Sequence, residues 1–218
     1  VVSLLMKSMG AKGPYKAMFT DVDVDQGLTE AIYQRLALKP PKTEVVVLCI
    51  GTDRSTGDSL GPLVGSYLSE RVSSIRLFGT LENPVHAVNL AETTDYISIH
   101  HPDAFMLAVD ACLGQVSTVG QITLADGPLR PGAGVHKKLP AVGDAHITGI
   151  VNVGGFMEYF VLQNTRLHIV VRMAEVIGSA IAGAANELGS MERHRASSAT
   201  CGTESRTQRL NVFLRGRS

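Results

Sequence analysis

The sequence has no tryptophan, three cysteines, and aromatic residues at only 5%. So few rings argue against recognition built on stacking bases or sugars. Cys49, Cys112 and Cys201 show no metal-type spacing, and the first two fall in strand-like stretches. That pattern points to reduced, structural thiols in a cytoplasmic setting rather than to a disulfide framework. An excess of one charge is missing too, since 20 Lys and Arg balance 20 Asp and Glu. No global field therefore draws nucleic acid or an anionic membrane. Uninterrupted apolar runs fall short of the roughly 18 residues that a membrane span needs. The opening Val1-Val2-Ser3-Leu4-Leu5-Met6-Lys7 is too short for a secretory signal.

What is present is a chain of 218 residues, 44% hydrophobic and 18% charged. That is enough for one α/β domain with a full core. Its centre is the run Val45-Val46-Val47-Leu48-Cys49-Ile50, which ends at Gly51. A short, continuous, β-branched run reads as a strand buried on both faces. A polar loop follows to Asp58, and Leu60, Leu63, Val64, Tyr67 and Leu68 then take up helical spacing. Strand, polar loop, helix is the arrangement in which α/β proteins place functional groups, at the carboxyl end of a parallel strand. A second strong strand, Phe105 to Val109, ends on Asp110.

The rest of the chain fits around these two strands. Residues 1–27 read as a flexible arm, 28–189 as the single α/β domain, and 190–218 as a disordered basic tail. Within the domain, helices are expected over 28–38, from Asn83-Pro84 to about 99, over 147–162, and after Asn164-Thr165. Strands are expected at 75–78 and 119–125, and 126–138 reads as a long Gly- and Pro-rich loop. Alternating strands and helices predict a mostly parallel sheet with helices on both faces.

Asp58 and Asp110 form the first chemical candidate. Two carboxylates brought close cannot both ionise easily, so one holds a proton and the pair can serve as acid and base toward one water. Two carboxylates with an imidazole can instead hold a divalent metal. The plainer alternatives are that Asp58 caps the helix beginning at Ser59 and that Asp110 caps a turn. His136, in the Gly-rich loop, and His146, ahead of the expected 147–162 helix, are placed to approach the same edge. His100 and His101 read as helix C-terminal caps, and His168 as solvated. No Lys-Ser/Thr ending follows the glycine loop, and no Gly-x-Ser-x-Gly elbow occurs. Cys112 reads as a buried, inert thiol.

Two stretches carry a resemblance: Cys49 to Pro62, with Thr56-Gly57-Asp58-Ser59-Leu60-Gly61-Pro62 at its heart, and Ala108 to Gly114. Together with Val142-Gly143-Asp144-Ala145-His146-Ile147-Thr148-Gly149 and its continuation to Tyr159, they resemble the sporulation YyaC family. That family is similar to the spore germination protease and, more distantly, to hydrogenase maturation endopeptidases. The resemblance covers roughly residues 28–186. It implies a three-layer phosphorylase/hydrolase-like fold and a sporulation-associated peptidase of atypical aspartic type, with Asp58 and Asp110 as its catalytic pair. It places His146 as an auxiliary or metal-binding group, and Asp53, Gly57 and His136 are expected to line the substrate beside it. It requires no cofactor and leaves open a divalent metal, as in the maturation enzymes. The partners it implies are a protein or peptide substrate such as small spore proteins, with a homo-oligomer left open. The implied setting is the cytoplasm of a sporulating cell or spore. The rival readings are a non-catalytic sporulation protein that binds a protein segment in the same cleft, and a metal-dependent maturation endopeptidase.

Overall fold

The computed structural model describes residues 13–40, 43–132 and 139–215. In chain order these form β1 (Tyr15–Met18), α1 (Val24–Ala37), β2 (Val45–Cys49), α2 (Leu60–Ser69), β3 (Arg76–Phe78) and α3 (Leu90–His100). There follow β4 (Phe105–Gly114), β5 (Gln121–Asp126), β6 (Ala145–Val153), α4 (Glu158–Gln163) and α5 (Leu167–Arg215). The six strands make one mixed sheet in the order β1-β5-β6-β4-β2-β3. The strands β3, β2, β4 and β6 run parallel, and β5 is antiparallel to both β6 and β1. Helices cover both faces, so the chain has an α/β fold.

Strand β2 is buried at every position, as its unbroken apolar run requires. Val45, Val47 and Cys49 face a large core with α1, α2 and α5, into which Leu28, Leu60, Met173 and Ile177 are also sunk. Val46, Leu48 and Ile50 face a smaller one, closed by Val85, Leu90 and Ile97 from the α3 side and by Leu129 and Val142. Leu60 joins the helix after the loop to the sheet and is fully buried. Leu60→Ala is expected to lower the unfolding free energy by about 3 kcal/mol, read by urea titration.

Four stretches differ from the expectations. Residues 15–18 are not part of an irregular arm but an edge strand, Tyr15 pairing with Leu124 and Met18 with Gln121. Tyr15 and Ala17 lean on the core while Lys16 is exposed. The stretch expected as a helix over 147–162 is a strand, β6, followed by the single short helix α4. Buried Ala145, Ile147, Gly149 and Val151 alternate with more accessible neighbours, which is strand periodicity. The small residue at 149 disguised it. The helix expected from Asn83-Pro84 starts only at Leu90, because Val85 is drawn into a parallel bridge with Ile50. Last, α5 carries helix through 190–215, where composition suggested a disordered tail.

The stretch Leu167–Met191 of α5 is long and apolar enough to cross a membrane by length and composition, but half of its most apolar stretch is buried in the fold. Its stripe Val170, Met173, Ala174, Ile177, Ile181 and Ala184 belongs to the large core.

Candidate functional site

The loop that leaves β2 is shaped by glycines. Gly51 has φ +149, and a Cβ there would run into the Asp58 carbonyl oxygen and lie 2.8 Å from Pro62 Cδ. Thr52 N–H donates to that same Asp58 carbonyl at 3.0 Å, closing the loop on itself. Gly61 lies against the Ile50 carbonyl, so α2 starts directly over the end of β2. Between them, Gly57–Ser59 forms one 3-10 turn, which holds Asp58 at the carboxyl end of β2. The cap of α2 is Ser59, whose hydroxyl donates to Thr56 O at 2.7 Å. The capping position expected for Asp58 is therefore taken by its neighbour.

Asp110 does not end its strand. Strand β4 runs on to Gly114 beside β6, and Asp110 pairs with Thr148. Since Cys49 pairs with Val109, Asp110 is level with the last residue before the loop. Its Oδ1 accepts a 2.8 Å hydrogen bond from Ala111 N–H. The residue keeps some accessible surface, yet its carboxyl is ringed by protein. Loss of water around it, and to a lesser degree the nearby Asp58 charge, push its pKa up to about 8; the Ala111 bond opposes them. Burial also raises Asp58, with the Ser55 hydroxyl partly offsetting the effect. The two carboxyls therefore feel each other at one site, and Asp110 is the one that keeps its proton at neutral pH.

The other expected residues fare differently. His146 does not open a helix: it lies in β6, pairs with Ala108 and Ala125, and bonds through Nδ1 to Gly127 O at 2.8 Å. A carbonyl only accepts, so Nδ1 carries the hydrogen. His146 sits two residues before Thr148 along the strand, about 7 Å back from the level of Asp110. Asp53 is exposed, within weak reach of Thr52 Oγ1 at 3.5 Å. Gly57 is buried, because a Cβ there would come within 2.7 Å of Leu162 Cδ2; its place is under α4. His136 lies outside the described residues. His100 bonds the Tyr96 carbonyl one turn back, as a C-terminal cap would, whereas His101 reaches across to Glu44. Burial first, and the Asp110 charge second, raise the Cys112 thiol to about 11, which leaves it unreactive at neutral pH.

Among the described residues no three His, Cys, Asp or Glu side chains gather as a metal site. The arrangement does not fit a divalent cation held by Asp58, Asp110 and His146.

Two features escaped the reading of the sequence. One is Ser55, buried three residues before Asp58. The other is the surface after β6, where Phe156, Met157, Tyr159 and Phe160 are all exposed. Helix α4 rests on the 57–59 turn through Leu162, and Asn152 Nδ2 holds it by the Val161 carbonyl and the Thr165 hydroxyl. A run of adjacent apolar residues without amphipathic spacing was the available signal.

Fold and site together define an α/β protein in which Asp110 of β4 and Asp58 of the turn after β2 lie near the carboxyl end of neighbouring parallel strands. Residues 17–180 match the family described as "Protein of unknown function (DUF1256)", and the chain belongs to that family. It is 49% identical over 191 residues to "Uncharacterized protein YyaC" of Bacillus subtilis (strain 168), covering 87% of this chain and 83% of that protein. Among solved structures it is similar to the [NiFe] hydrogenase maturation protease HycI from Thermococcus kodakarensis KOD1. That likeness has a TM-score of 0.47 and 17% identity over 72% of this chain and 99% of the other.

Proposed function

We propose that this protein is a sporulation-associated peptidase in which Asp58 and Asp110 activate a water for attack on a peptide carbonyl. The observation that carries the reading is Asp110, a buried carboxyl whose pKa stands at about 8 beside a second aspartate. At neutral pH the pair then holds one proton. Asp58 takes a proton from the water as its oxygen bonds to the carbonyl carbon. Asp110 gives its proton to the amine as the C–N bond breaks, and the pair is reset by exchange with solvent. The resemblance of the Asp58 and Asp110 motifs to those of the spore germination protease supports the same chemistry, with spore proteins as the substrate class.

The experiment incubates wild type, Asp58→Asn and Asp110→Asn with a mixture of small spore proteins and reads cleavage by mass spectrometry. Each substitution is expected to reduce cleavage at least about a hundredfold. Folded wild type that cleaves nothing removes the peptidase reading. A second reading, a binder of protein segments without catalysis, is favoured by the exposed Phe156, Met157, Tyr159 and Phe160 beside the loop. Under it, peptide affinity survives Asp110→Asn and weakens in Phe156→Ser/Phe160→Ser.

A further inference from the structure

Strands β5 and β6 have two faces of opposite character. On one, Ile122, Leu124, Ile147 and Val151 are sunk in the large core at 1% exposure or less. On the other, Thr123, His146, Thr148 and Ile150 all keep accessible surface. The smaller core on that side takes in Ala108, Leu129 and Val142 but no residue of β1, β5 or β6 among the described residues. Helix α3 thus closes this face over β2 and leaves the half beyond Ala108 open.

Strand register draws one polar row across the open half. Asp110 pairs with Thr148, Thr148 with Thr123, and Thr123 with Lys16. Paired residues of neighbouring strands project to the same face. The Thr148 hydroxyl lies against the Cys112 thiol, which shares that face as the second residue after Asp110. Strands stand about 4.8 Å apart, so three intervals put Lys16 about 14 Å from Asp110. The row begins at one of the two aspartates. It ends at Lys16, which is exposed and held by no ion pair among the described residues. Between them, two threonine hydroxyls offer donors and acceptors to a polypeptide backbone. An extended chain advances about 3.3 Å per residue. With its reacting bond at Asp110, such a chain carries the residue about four places along over Lys16. A lysine at the rim of a binding surface favours a negative group there.

We propose that the substrate polypeptide lies across the open face of β4, β6, β5 and β1, and that Lys16 recognises a carboxylate about four residues from the bond cleaved at the aspartates. The substrate class is an extended chain with an acidic side chain, or its own C-terminus, at that distance. Treating the bound chain as a substrate rests on the peptidase reading; the carboxylate-selective surface does not. Lys16 sets specificity and takes no part in breaking the bond.

The test uses the full chain, wild type and Lys16→Glu, in two arms. In the first, isotope-labelled protein is titrated with three short Ala/Thr peptides and followed by NMR. One carries a single internal Glu and an amidated end, one has Gln in its place, and one is the Gln peptide with a free C-terminus. A carboxylate-bearing peptide is expected to shift the amides of Lys16, Thr123 and Thr148, and the amidated Gln peptide to bind about 5- to 10-fold more weakly. Whichever carboxylate binds tighter identifies its source, and Lys16→Glu should abolish the preference. In the second arm, the spore-protein mixture is digested and the cut sites are read by mass spectrometry. Cuts are expected about four residues from an acidic side chain or chain end. Lys16→Glu should lower kcat/KM at those sites about 10-fold with kcat nearly unchanged, and favour sites with Lys or Arg there instead. Lys16 is exposed on an edge strand, so Tm should stay within error of wild type. Equal binding of the three peptides overturns the proposal, as does an unchanged site preference in Lys16→Glu. Shifts at the same amides on raising protein concentration alone also overturn it, since the occupant is then a second copy. If wild type cleaves nothing but a carboxylate peptide still binds this face through Lys16, the peptidase reading fails while the surface stands.

Discussion

Asp110→Asn is expected to melt higher than wild type at pH 8 and within error of it at pH 4. In the folded protein the Asp110 carboxyl keeps its proton until about pH 8, because burial disfavours its charge. Unfolded, the same group ionises near pH 4. Between these values the native state binds more protons than the unfolded one, so stability falls as pH rises, by up to about 1.4 kcal/mol per pH unit. Above pH 8 both states are ionised and the loss is complete; below pH 4 both are neutral and it is absent. Asparagine is neutral throughout, close in shape, and keeps an oxygen for the Ala111 N–H. It should remove the penalty and leave the packing alone. A gain of about 2 kcal/mol would raise Tm by roughly 4–8 °C for a chain of this length.

Other groups bend the absolute curve, Asp58 among them because burial raises it. Lys39, half-buried with its Nζ over the Phe105 ring, is lowered to about 7, so folding releases its proton and stability rises as pH climbs above that value. Glu44 is lowered by its bonds to Arg76 and His101, and its contribution fades as pH falls through the acid range. These are common to the two proteins, so the difference in Tm between variant and wild type, measured from pH 4 to 9, reports Asp110 together with its charge coupling to Asp58 and Cys112. Equal melting at pH 8 would mean that Asp110 is ionised in the native protein, and the acid role assigned to it would go too. A variant that melts higher and cleaves far less is the joint signature expected of a strained functional group.

Gly51→Ala is expected to destabilise the fold by about 3 kcal/mol or more and to abolish whatever activity the aspartates support. Two costs combine. Its φ of +149 is one that residues with a side chain rarely adopt, and the new Cβ would collide with the Asp58 carbonyl oxygen. That oxygen belongs to backbone already bonded to Thr52 N–H, so it cannot swing aside alone. Relief requires the 3-10 turn and Asp58 to move together. Urea unfolding would report the stability loss, and peptide cleavage or binding by the surviving folded fraction the functional one. A variant of near wild-type stability would show that the loop has slack, and the tight placement of Asp58 would have to be given up.

The sequence by itself determined the parts whose signal is local. Val45 to Ile50 and Phe105 to Val109 are continuous apolar runs because strands inside a parallel sheet are buried on both faces, and a run of that kind needs no context to be read. The polar, glycine-bearing loop after β2 was legible in the same way, whereas the level of Asp110 with its start was decided by the β2–β4 register. Tertiary structure decided what depends on neighbours. Residues 145–153 are a strand because β4 and β5 pair with them on either side, and because Leu60 and Met173 fill the space over Gly149. Helical spacing and strand spacing were equally available to so small and apolar a stretch. That one change moved His146 off a helix start and onto a strand, where the Gly127 carbonyl holds it back from the aspartates. The edge strand Tyr15–Met18 likewise exists only because β5 offers it a partner. Nor could spacing reveal which aspartate keeps the proton, since that follows from how much water the fold removes around each carboxyl. Chemical identity is written along the chain, but dielectric surroundings are made only when distant segments close over it.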